Sequence, residues 1–96
     1  MLRHLETQRR VLVLTIQRYQ EADRDWSAAA REARSWFPGA RRGMAVVIGS
    51  PGSRVRKLYD RREKALQQLA VARRNLDEAK ARLARRHRVM LLLTEG

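Results

Sequence analysis

The stretch ALQQLAVARRNLDEAKARLARRHRVM, residues 65–90, decides the fold. Within it Leu69, Leu76, Leu83 and Met90 recur every seven residues, and Ala65, Ala72 and Ala79 fall between them. A seven-residue apolar period uninterrupted by Gly or Pro marks a helix that buries one narrow stripe against another helix. Read outward, the pattern runs from Ser53 to Thr94. The N-terminal segment repeats it: from Leu2 to Trp36 there is no Gly or Pro, and Leu5, Leu12, Tyr19, Trp26 and Ala33 again stand seven apart. Gln8, Thr15, Ala22 and Ala29 follow the first four of these by three residues, so the second position of the stripe is small along most of its length.

Large residues alternating with small ones on both segments predict two antiparallel helices at close approach, each bulky side chain over a small one of its partner. The expected fold class is therefore all-α: an antiparallel two-helix coiled-coil hairpin forming a single domain over 1–96. The expected helices span 2–36 and 53–94, about 50 and 60 Å long at ~1.5 Å per residue. The connection, 37–52, is long for a hairpin and apolar in its middle. Pro38-Gly39 stops the first helix, and Pro51-Gly52-Ser53 starts the second with Ser53 as its N-cap. Met44-Ala45-Val46-Val47-Ile48 is expected to pair as a short strand or to pack on a neighbouring chain. Trp36 is expected to pack at the bend. The turn from Gly49 to Arg54 places backbone N–H groups at a helix start, where an anion can sit. It lacks the Lys-Ser/Thr pair of a nucleotide-binding loop, and Pro51 has no N–H, so the turn reads as a helix cap.

Two helices alone bury little surface. The second is expected to overhang the first, leaving Val89 to Leu93 without an intramolecular partner, while Val11, Val13, Leu14 and Ile16 lie outside the stripe. Exposed apolar patches usually mark interfaces. The expectation is a homo-oligomer, a dimer completing a four-helix bundle, with Val11, Leu14, Met44, Val46, Val47, Ile48, Val89, Met90, Leu92 and Leu93 at the interface.

Composition narrows the function classes. The 96 residues hold 22 Lys+Arg against 10 Asp+Glu, a formal charge of +12, and no cysteine. Without cysteine there is neither a disulfide framework nor thiol-based zinc or redox chemistry. The longest apolar runs, Val11 to Leu14 and Val89 to Leu93, fall far short of the ~20 residues that span a bilayer, so integral membrane association is not expected. The N-terminus is helix-patterned and shows no signal-peptide cleavage site, and a cytoplasmic location is expected. His4 and His87 are brought near one another by antiparallel pairing, but two imidazoles without further ligands make a poor metal site. No Ser-His-acid set or pair of carboxylates stands out, so neither catalysis nor a cofactor is expected.

The charge is uneven. Residues 54–96 carry 13 Lys+Arg against 5 Asp+Glu, and residues 1–36 carry 7 against 5. Arg54, Lys57, Arg61 and Lys64 follow i, i+3, i+4 spacing on one face, with Arg56 and Arg62 beside them and Arg41 and Arg42 in the connection. A row of this kind tracks phosphates along a duplex in a sequence-independent, salt-sensitive way. A second cluster, Arg82, Arg85, Arg86 and Arg88, is expected to lie near Arg3, Arg9 and Arg10. Arg74–Glu78 and Glu78–Arg82 offer i, i+4 pairing. Tyr19, Trp26 and Tyr59 fall on or beside the stripe, which leaves no aromatics for stacking on single strands. The expected function is binding of nucleic acid, duplex DNA rather than RNA. The alternative is a non-catalytic adaptor, chaperone or assembly subunit that grips an acidic protein partner through the Met44–Ile48 loop or the Val89–Leu93 end. Peripheral attachment to an anionic membrane is a third reading.

Overall fold

The computed structural model describes residues 2–36 and 48–95. Two helices, α1 (Leu2–Trp36) and α2 (Arg54–Glu95), pack against each other, and the described residues contain no strand. Both are rich in Ala, Leu, Arg, Glu and Gln, the residues that lose least on entering a helix. Hydroxyls inside them are satisfied locally: Thr7 donates to the Arg3 carbonyl, Thr15 to Leu12 and Ser35 to Glu32. Thr15 can therefore lie buried in the seam without an orphaned polar group.

The seam is built from small side chains. Ala22, Ala29, Ala30, Ala65, Ala72 and Ala79 are buried, joined by Leu5, Leu76 and Thr15. Leu12 and Leu83 pack partly buried against the cluster of Leu5, Leu76 and Ala79. A stripe of methyl groups lets two backbones come close, and the bulky residues of the repeat then flank the contact. Among the described residues no large side chain is completely buried.

The helices run antiparallel. Trp26 meets Tyr59, with ring centroids 6.2 Å apart, and Asp23 pairs with Arg62, so three steps back along α1 are three forward along α2. Continuing this register sets Leu2 opposite Leu83. About twelve residues of α2 then project past the N-terminal end of α1, roughly 18 Å of helix. Val89 to Leu93 lie on this projection, and each is exposed. The molecule is a rod, with extents of 72 × 21 × 18 Å.

The start of α2 is set by its cap. The Arg56 N–H donates to Ser53 Oγ at 3.1 Å and the Lys57 N–H to the Ser53 carbonyl at 3.0 Å, so Ser53 is the N-cap and the helix proper begins at Arg54. Gly49 and Gly52 hold φ of 84° and 81°, a conformation that favours glycine, and the Ser53 N–H closes the turn onto the Ser50 carbonyl. Of the Met44–Ile48 segment only Ile48 is among the described residues, with helical backbone. One sequence expectation is corrected. Trp36 does not pack at the bend: it is 74% exposed. Its phase in the repeat is correct, but the register sets it opposite Gly49, before α2 has begun. Arg41, Arg42, Met44, Val46 and Val47 lie outside the described residues.

Candidate nucleic-acid interface

Arg62 occupies the stripe position seven residues before Leu69, where the repeat elsewhere carries leucine. At this level α1 presents Tyr19, Asp23 and Trp26. Arg62 Nε donates to Asp23 Oδ1 at 2.7 Å, one terminal nitrogen to Glu63 Oε1 at 3.0 Å, and the other to the Tyr19 hydroxyl at 3.0 Å. Its guanidinium carbon lies 4.9 Å from the Trp26 ring centroid and 5.5 Å from that of Tyr19. The planar fork thus meets two carboxylates, a phenol and two aromatic faces at once. The hydrogen bond to Asp23 raises the Arg62 pKa above the ordinary arginine value; burial works against this, and the charges of Tyr19, Asp23 and Glu63 add to it. With its side chain only 22% exposed, Arg62 fastens α1 to α2 rather than facing solvent.

Two more of the expected phosphate-binding residues also meet carboxylates. Arg61 reaches Asp25 at 3.2 Å and Glu21 at 3.8 Å, both across the helix pair, and Arg56 reaches Asp60 at 3.3 Å. These pairs are exposed, and exposed ion pairs hold weakly, so Arg56 and Arg61 can exchange a carboxylate for a phosphate at little cost. Arg54, Lys57 and Lys64 are exposed and have no ion-pair partner among the described residues. Lys64 and Arg61 share a groove with Arg18 and Glu21, so that face is mixed in sign.

The opposite end differs. His4 of α1 lines a groove with Ala79, Arg82, Leu83 and Arg86 of α2, so antiparallel pairing brings the α1 N-terminus to the second arginine cluster. Glu78 and Arg82 form an exposed ion pair at 3.9 Å. Arg3, Arg9, Arg10, Arg85, Arg86 and Arg88 are exposed and without ion-pair partners among the described residues. The carboxylates Glu21, Asp23 and Asp25 are gathered beside Arg61 and Arg62, and exposed arginines without ion-pair partners among the described residues stand at both ends of the rod, Arg24, Arg31 and Arg54 toward the connection and Arg3, Arg85, Arg86 and Arg88 at the open end. Among the described residues no group of three or more His, Cys, Asp or Glu is placed to hold a metal ion. No described helix is long and apolar enough to cross a membrane.

Sequence reasoning set Arg62 beside the Arg54–Lys64 row as a phosphate-binding residue, although a charged residue at a heptad core position was the signal that sets it apart. Its partner Asp23 lies in the densest acidic run of the first helix, Glu21, Asp23 and Asp25, the other two of which pair with Arg61. Comparison of the chain with family models, curated proteins and solved structures finds no match among any of them.

Proposed function

We propose that this protein is a non-catalytic, basic helical hairpin that binds duplex nucleic acid, DNA in preference to RNA, by lying along the phosphate backbone. The exposed cations left without a carboxylate along the rod carry the reading. The acids of α1 engage Arg61 and Arg62, while Arg3, Arg9, Arg10, Arg85, Arg86 and Arg88 have no ion-pair partner among the described residues. Arg54, Lys57 and Lys64 form a second contact near the connection, together with Arg41 and Arg42. A 72 Å rod matches roughly 20 base pairs at ~3.4 Å each, long enough for both ends to reach one duplex. Self-association belongs to the same proposal: Val11 and Leu14 stand exposed midway along the rod, and pairing of two copies there forms a four-helix bundle.

The test is binding to a random-sequence duplex by fluorescence anisotropy at ~50 and ~200 mM salt, where contact with several phosphates weakens affinity by orders of magnitude. Replacing Arg85, Arg86 and Arg88 with Gln, or Arg54, Lys57 and Lys64 with Gln, is expected to weaken binding about tenfold or more at the lower salt. Single strands are expected to bind less tightly than duplex. No binding at ~50 mM salt defeats the proposal outright.

A further inference from the structure

We infer that the projecting end of α2 is an anchor that inserts into the surface of an anionic lipid bilayer. Val89, Met90, Leu91, Leu92 and Leu93 follow one another on the part of the helix that has no α1 beside it, with exposures from 47% to 73%. At about 100° per residue, five consecutive apolar residues surround the helix rather than forming a stripe. A second copy of this chain or a groove on another protein covers one side of such a helix and leaves the other in water. Acyl chains cover all of it.

The surroundings fit the same occupant. Lys80, Arg82, Arg85, Arg86 and Arg88 precede the apolar run, and no acid interrupts the chain between Glu78 and Glu95. Five cations so placed fall in the range that draws a helix to anionic headgroups, and long arginine side chains can keep their charge at phosphate level while their stems lie along lipid. Arg82, Arg85, Arg86, Val89 and Met90 line one recess, where the cationic and apolar surfaces meet. The five residues rise about 7.5 Å, within the ~5–10 Å depth of an interfacial segment and far from a span. Thr94 donates its hydroxyl to the carbonyls of Met90 and Leu91, which masks its polarity at the far edge of the run. The apolar stretch ends there, and Glu95 follows. This inference shares Arg85, Arg86 and Arg88 with the proposed duplex contact, but the apolar run Val89 to Leu93 has no part in that contact, so a leucine variant separates the two.

The absence of cysteine makes a direct test possible. An environment-sensitive fluorophore is attached through Leu92→Cys in one variant and through Val13→Cys, exposed in the N-terminal half of α1, in another. Each protein is mixed with vesicles of phosphatidylcholine alone or of phosphatidylcholine with phosphatidylglycerol. A blue shift is expected at position 92 with the anionic vesicles only, and none at position 13. In co-sedimentation, Leu91→Gln, Leu92→Gln and Leu93→Gln together are expected to weaken vesicle binding about tenfold or more, as are Arg85→Gln, Arg86→Gln and Arg88→Gln together. All six side chains are exposed, so the hairpin's helicity should be unchanged, and the leucine variant should keep its duplex affinity. Co-sedimentation without a shift at position 92 would show charge adsorption alone and overturn the inference. Failure to bind anionic vesicles would do the same, as would a leucine variant that merely loses self-association, which would give this end to a second copy.

Discussion

Arg62 shows how much one side chain can fix. It supplies three hydrogen bonds, to Asp23, Glu63 and Tyr19, from a position the repeat assigns to the seam. Arg62→Ala is expected to lower unfolding free energy in urea by about 1–2 kcal/mol, a figure kept small because Asp23 is partly exposed. Arg62→Lys should recover little, since one ammonium cannot satisfy the whole fork. An Arg62→Ala protein as stable as the parent would mean the clasp adds nothing. A cation whose pKa is raised on folding contributes stability that is complete below its unfolded value and lost only as pH rises through the folded one. Both values lie in the arginine range, so no pH dependence near neutrality should trace to this residue. The glycines before α2 separate two costs. A Cβ on Gly49 would stand 2.6 Å from Ser53 Oγ and 2.9 Å from the Arg56 nitrogen, in the middle of the cap, whereas one on Gly52 meets nothing within 4 Å. Gly52→Ala should cost about 1–2 kcal/mol for its positive φ alone, and Gly49→Ala about 1 kcal/mol more for the broken cap, compared by thermal and urea unfolding. Equal losses would show that the cap survives the added methyl.

At the scale of the helices, the alanine seam governs how near α1 and α2 lie. Ala72 is 2% exposed, and a larger side chain there would wedge the backbones apart. Ala72→Leu is expected to cost about 1–3 kcal/mol, against less than about 0.5 kcal/mol for the exposed Ala81→Leu, measured by circular dichroism melting. If both variants melt with the parent, the helices are not in tight register. These elements were legible in the sequence because the seven-residue spacing of Leu69, Leu76 and Leu83 and the interleaved alanines specify which side of each helix is covered. Ser53 was legible as a cap by the same local chemistry. Trp36 was not, since periodicity tells which way a residue faces but not whether the partner helix reaches that far. Arg62 was misplaced for the opposite reason: its charge drew attention over its phase.

For the whole molecule, a charge of +12 sets two equilibria against each other. Salt screens repulsion between two copies of a basic rod and also weakens its hold on phosphate. Added salt is therefore expected to tighten self-association, followed by sedimentation equilibrium, while loosening duplex binding. Val11→Gln with Leu14→Gln should shift the population toward monomer. A protein that stays monomeric at every salt concentration would remove the four-helix bundle from the proposal. The placement of the Arg62 clasp carries a consequence for how the rod assembles. Its contacts join residues 39 and 43 positions apart in the chain, whereas Leu5 reaching Leu76 and Ala79 encloses most of the sequence. The chain entropy lost on closing a loop grows with the logarithm of its length, so the clasp is the contact with the smaller entropic barrier. Once it is made, each further turn of pairing adds neighbours without closing a new loop. Assembly should thus begin near the connection and zip toward the projecting end, and fraying should travel back along the same path from the termini.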